Sequence, residues 1–139
     1  MANTIRVEVV SAEGHMFDGD AEMVVAAATQ GEVGVAAGHA PFISPLRPGD
    51  IRIINDGDDE QHFYVSGGVI EVQPKLITIL ADTAVRASDL DEAEIVKAKE
   101  RAEALIKDRN TTVDLATAQS ELVELAAQLQ AIRKLKKTR

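Results

Sequence analysis

The chain has 139 residues, 45% apolar and 27% charged, which suits one ordinary globular domain or two very small ones and not a disordered chain. A formal charge of −8 with only 3% aromatic residues excludes a phosphate-backbone binder and a base-stacking platform, so nucleic acid is not an expected partner. There is no cysteine, which removes disulfide frameworks, thiolate catalysis and sulfur-ligated zinc.

The opening residues, Met1 to Glu8, place charges among apolar side chains and match neither a secretory signal nor an Arg-rich transit peptide. No window approaches the ~18 consecutive apolar residues of a membrane span, so any membrane association is expected through partners. Ile5, Val7 and Val9 alternate with Arg6, Glu8 and Val10, a period of two that predicts a strand with one buried face. Further apolar or alternating runs occupy 22–28, 51–54, 62–66, 69–73 and 76–81. Turn signals separate them: Asp18-Gly19-Asp20, Gly31, Pro48-Gly49, Asn55-Asp56-Gly57-Asp58, Gly67-Gly68 and Pro74. Short strands without an intervening helix predict a small antiparallel sandwich or barrel. The acidic cluster from Asp56 to Glu60 reads as a solvated hairpin tip. The stretch from Gly31 to Pro41, carrying Glu32 and His39, reads either as a tight turn between strands or as an exposed contact loop.

A domain boundary is expected near residue 85. Residues 1–85 carry 13 acidic and 4 basic side chains, a net of −9, whereas residues 86–139 carry 10 and 11, a net of +1. All nine Gly and all four Pro also precede residue 75. The second part reads as helical. Ser88 or Asp89 can cap a first helix, with Asp91, Glu92 and Glu94 in its opening turn. Ile95, Ala98, Ala102 and Leu105 mark one face. Lys107 to Thr112 interrupts the pattern, and Thr112 or Asp114 can cap a second helix. There Leu115, Ala118, Leu122, Leu125, Leu129 and Ile132 alternate three- and four-residue steps. A short polar link between two such helices predicts an antiparallel hairpin. Its seam is rich in alanine, which forms helix readily but buries little area, so the hairpin is expected to be loosely held.

No catalytic arrangement is legible. His15, His39 and His62 lack metal-ligand spacing, no serine sits in a G-x-S-x-G context, and no Walker or dinucleotide loop is present. Neither a metal nor a cofactor is expected. A rival reading is a small β-sandwich enzyme using His39 with Asp50 or Glu32, whose activity should survive loss of residues 86–139. The tail from Arg133 to Arg139 holds five positive charges in seven residues. That suits either a helix dipole or docking on an acidic partner surface.

Several motifs in fixed order carry a resemblance. They are Val9-Val10-Ser11-Ala12-Glu13 with Met16-Phe17-x-Gly19, Gly31-Glu32-x-Gly34, Gly38-His39-Ala40-Pro41, Pro48-Gly49, the run Ser66 to Pro74, Leu80-Ala81-Asp82-Thr83-Ala84 and Leu90-Asp91-Glu92-Ala93. Over essentially the whole chain they resemble the epsilon subunit of bacterial F-type ATP synthases. The resemblance implies an α+β fold, a ten-stranded antiparallel β-sandwich (1–85) followed by a two-helix antiparallel hairpin (86–139). It implies a non-catalytic rotor subunit of the central stalk, peripheral on the cytoplasmic face of the bacterial inner membrane. The sandwich would bind the γ subunit and the c-ring, with Glu32 in the ring-contacting loop and His39 near the γ side. The hairpin would detach, enter the α/β catalytic head and inhibit ATP hydrolysis. Arg133, Lys134, Lys136 and Lys137 are assigned to acidic β-subunit surface there from charge and place, not from a matched motif. Members that bind ATP resemble Ile/Leu-Asp-x-x-Arg-Ala at the first helix. Here Leu90 and Asp91 fit, but Glu94 and Ile95 depart, and a carboxylate at that place repels triphosphate. A free-standing ATP sensor is therefore the less favoured reading.

Overall fold

A computed structural model describes residues 3–56, 60–107 and 115–137. In chain order the strands are β1 (Ile5–Ser11), β2 (Gly14–Ala21), β3 (Met23–Ala28), β4 (Gly31–Ala36), β5 (Phe42–Ile54), β6 (Glu60–Val65), β7 (Gly68–Gln73), β8 (Leu76–Ala81) and β9 (Ala84–Arg86). A single 3₁₀ turn at Ala87–Asp89 leads to helices α1 (Glu92–Lys107) and α2 (Leu115–Lys137). The Thr112 and Asp114 caps and most of the acidic tip at 57–59 lie outside the described residues.

The strands run in the order β2-β1-β8-β7-β5-β3-β4, with β6 on the other side of β5 and β9 beyond it. Long β5 joins the two layers. Its first part, Phe42–Leu46, pairs with β7, and its second part pairs with β3 and β6. This continuity explains why nine strands are described where ten were expected: β5 is one strand shared between two layers. The pairing is antiparallel throughout except between β1 and β8, which are parallel. Inward residues alternate as the period of two requires. Val7, Val9, Ile70, Ile77 and Ile79 of one layer meet Val24, Ile51, Ile53, Phe63 and Val65 of the other in one core.

Three stretches read as turns are strand. Asp18-Gly19-Asp20 lies in β2, Gly31 to Ala36 is β4, and Pro48-Gly49 lies within β5. β2 and β4 are terminal strands of the sheet order, where glycine and charge are tolerated. Pro48 sits where β5 changes partners, between Leu46 against β7 and Gly49 against β6, so its missing N–H costs no ladder bond.

The helices form the expected antiparallel hairpin. Asp91, not Ser88 or Asp89, caps α1: its Oδ1 accepts from the amides of Ala93 at 3.0 Å and Glu94 at 3.4 Å. Ile95 of α1 packs against Leu129 and Ile132 of α2, joined by Val96 and Leu125. α2 in turn rests on β5, β6 and the 3₁₀ turn. There Ala127 and Ala131 cover Tyr64 and Ala87, with Leu90 and Leu135 at the margin. Leu105 and Leu115, expected in the seam, stay exposed at the other end of the hairpin. The sandwich core thus closes with residues from Ile5 to Ala84 alone, and the helices add two small separate clusters.

Candidate functional site

The seam between sandwich and hairpin is where charged side chains converge. β5 turns Ile51 and Ile53 into the core, so Asp50 and Arg52 point outward; β6 likewise turns Tyr64 out, directly beside Asp50. Helix α2 crosses this face. Lys134, near its end, places Nζ 2.9 Å from Asp50 Oδ1 and 3.5 Å from Glu32 Oε1. Arg52 closes the ring of charge, 3.7 Å from Glu32 and 3.9 Å from Asp50. Asp50 is only 6% exposed, whereas Glu32 and Lys134 keep 45% and 39% of their side-chain surface.

The basic tail is thereby divided. Lys134 faces the sandwich, while Lys136 donates a hydrogen bond to Glu92 at the start of α1. That bond, then the Lys136 charge and the nearby Arg133 charge, hold the Glu92 carboxyl below its ordinary value. Arg133 is exposed. The side chain of Lys137 lies outside the described residues. Glu32 belongs to strand β4 and not to a loop, and His39 follows in the turn between β4 and β5.

His39 is exposed, its Nδ1–H donating to the Ala40 carbonyl at 2.7 Å and its ring edge-on to Phe42. Among the described residues its contacts include neither Asp50 nor Glu32, and Asp50 is already held by Lys134. The pairing that the enzyme reading required is not assembled. No group of three or more potential metal ligands occurs among the described residues.

The degenerate nucleotide motif lines a groove of about 630 Å³. Asp89, Asp91 and Glu94 face it together with Lys97 and Arg101, three carboxylates against two cations. Asp91 is engaged in capping, and Ile95 is turned into the hairpin seam. That balance of charge disfavours a polyphosphate.

Four members of this seam were not brought together by the sequence pattern. Tyr64, the one tyrosine of the chain, is 1% exposed beneath α2. Its hydroxyl lies near Glu124 and Gln128 without a partner in hydrogen-bond geometry, and burial, then the Glu124 charge, push it up to about 12. Asp50 was legible only as a partner of His39 in the enzyme reading, Arg52 only as a member of the run 51–54, and Glu92 only as a first-turn acid. The signal that could have found Asp50 is an acid two residues before Arg52, both flanking Ile51.

Comparison with known proteins agrees over the full length. The family described as ATP synthase, Delta/Epsilon chain, beta-sandwich domain matches residues 4–87. ATP synthase epsilon chain 1 of Methylococcus capsulatus is 52% identical over 139 residues, 100% of this chain and 99% of that one. The ATP synthase epsilon chain of Halorhodospira halophila is 48% identical, covering 97% and 96%. Among solved structures, a chain of the Euglena gracilis mitochondrial ATP synthase, in an assembly of OSCP, F1 and c-ring, superposes with a TM-score of 0.84 at 21% identity. It covers 94% of this chain and 82% of that one, and it speaks for the fold alone.

Proposed function

This chain belongs to the family of ATP synthase epsilon chains, and from that premise we propose that it couples the rotor of an F-type ATP synthase and restrains ATP hydrolysis through a detachable hairpin. In this reading it is a non-catalytic central-stalk subunit, and catalysis resides in partner β subunits. The sandwich, residues 1–85, holds the γ subunit and the c-ring. The hairpin, residues 86–139, docks on the sandwich in one state and reaches the α/β head in another. Relatives 52% and 48% identical over nearly the whole chain, themselves ATP synthase epsilon chains, support a place in that complex. Attachment to the membrane is through the complex, on the cytoplasmic face of the bacterial inner membrane. No helix among the described residues is long and apolar enough to cross it.

One observation carries the reading: the sandwich core is complete without the helices. Every residue of the main core lies between Ile5 and Ala84, and the apolar part of the hairpin's contact with the sandwich is small, Ala127 and Ala131 against Tyr64, beside the Lys134 ion pairs. An alanine methyl contributes only about 0.8 kcal/mol on burial. Removing the hairpin uncovers Tyr64 and Asp50 on the outer face of the sheet but takes no residue from the main core, so the platform stays intact. Deleting residues 88–139 is expected to raise ATP hydrolysis by the assembled complex while the shortened chain still co-purifies with α, β and γ. Unchanged hydrolysis in a complex that retains the truncated chain would remove the inhibitory role.

A further inference from the structure

Asp50 is a carboxylate on the outer face of a sheet, where such a group is ordinarily solvated, yet it is buried. Its cover is helix α2: Gln130 and Lys134 complete the lining of a small cavity of about 70 Å³ whose other walls include Glu32, Gly49 and Asp50. Docking the hairpin strips water from Asp50. Oδ1 receives Lys134 at 2.9 Å, but Oδ2 is left without a hydrogen bond, and so is Arg52 Nε across from it. Arg52, 3.9 Å away, is shared with Glu32. Without the Lys134 ammonium, docking would bury a charge left with a distant, divided Arg52 and with Arg47, which lines the same cavity and forms no ion pair with Asp50 among the described residues. Breaking a buried pair by removing one member destabilises far more than the pair's own net worth, because the abandoned charge stays desolvated.

We propose that Lys134 and Asp50 form the latch that holds the hairpin on the sandwich, so that one cation of the basic tail is committed inward whenever the hairpin is docked. The tail is then not a uniform docking patch. Lys134 has to leave Asp50 before it meets any partner surface, and Asp50 regains water as it does. Glu32 accepts the same ammonium at 3.5 Å. If Glu32 also contacts the ring, as the family resemblance behind the proposed function implies, ring engagement and hairpin docking draw on one carboxylate. By linkage each then weakens the other.

The latch is tested on the isolated full-length chain, so its outcome does not depend on whether the hairpin inhibits the complex. Hydrogen exchange of the α2 amides reads hairpin opening, with β7 and β8 as the internal reference for an intact sandwich. Lys134→Met keeps helix propensity and an apolar stem at a partly exposed position, and is expected to speed α2 exchange about tenfold with β7 and β8 unchanged. Adding Asp50→Asn to that variant replaces the stranded charge with a neutral amide. It should bring α2 exchange back to within about threefold of wild type. This reversal separates a latch from generic helix destabilisation, in which two substitutions would add. Wild-type exchange in Lys134→Met, or a double variant as loose as Lys134→Met or looser, overturns the proposal. Lys134→Gln serves as a second single variant and should match Lys134→Met in direction.

Discussion

At Gly68 an added Cβ would lie 2.1 Å from the Leu80 carbonyl oxygen, and the backbone there has φ of +140°. The obstacle is the backbone of the neighbouring strand, which cannot swing aside, so both space and conformation demand glycine. Gly68→Ala is expected to destabilise the sandwich by about 3 kcal/mol or more, read as a lower urea midpoint. Tyr64 makes a second prediction at this scale. It titrates at about 12 when docked, against 10 for a free phenol. Between those values the docked form keeps a proton that the released form has lost, so docking weakens as pH rises from 10 to 12 and loses nothing further above. At about 1.4 kcal/mol per pH unit the loss from this group reaches roughly 3 kcal/mol. Because the chain has one tyrosine and no tryptophan, its own fluorescence and absorbance follow the event. Tyr64→Phe should dock at least as well at neutral pH, since it removes an unpaired buried hydroxyl, and its α2 exchange should lack this added pH dependence. The difference between the two pH profiles isolates the contribution of Tyr64.

At the scale of elements, local periodicity exposed what is local. β1, β3, β6, β7, β8 and the end of β5 announce themselves by alternating or continuous apolar runs, and both helices by three- and four-residue steps. β2 and β4 did not, because glycine and charge on a strand at the end of the sheet order look like a turn to any local rule. The first part of β5 was hidden by Pro45 and Pro48, and the parallel pairing of β1 with β8 has no local signature at all. The seam was invisible for the same reason. Asp50, Lys134 and Glu32 are far apart in sequence, and only the crossing of α2 over β5 brings them together. The tail illustrates the consequence. Its charges read as one patch, yet Lys134 meets the sandwich while Lys136 ties α2 to Glu92 on α1. Lys136→Glu should therefore loosen α1 from α2, seen as faster exchange in the first turns of α1, and Glu92→Lys should restore it in the double variant. The Glu92 contribution is present above 4.5, the ordinary value of the carboxyl, and is lost as acid protonates it below. The first turns of α1 should accordingly loosen at low pH, and Glu92→Gln should remove that dependence.

For the whole molecule the two states compete through their differential contacts, and a substitution shifts the balance only if it acts on one state more than the other. Deleting the hairpin removes both states and can report only that the hairpin matters. Reversing charges along the tail acts on both at once, since the same cations hold the docked form and are offered to the head in the extended form. Asp50 breaks this degeneracy, because it belongs to the sandwich and leaves the tail untouched. Asp50→Lys sets a further cation beside Lys134, Arg52 and Arg47, repelling the tip from the platform at an ion-pair site that is lost on release. A shift of about 1.4 kcal/mol between the two states changes their ratio tenfold. The assembled complex carrying Asp50→Lys is expected to hydrolyse ATP several-fold more slowly than wild type, the opposite of the truncated complex. Truncation of residues 88–139 in the Asp50→Lys background should return it to the fast rate. If Asp50→Lys frees the hairpin in the isolated chain but leaves hydrolysis in the complex at the wild-type rate, release of the hairpin does not limit inhibition, and another step of the rotary cycle sets it.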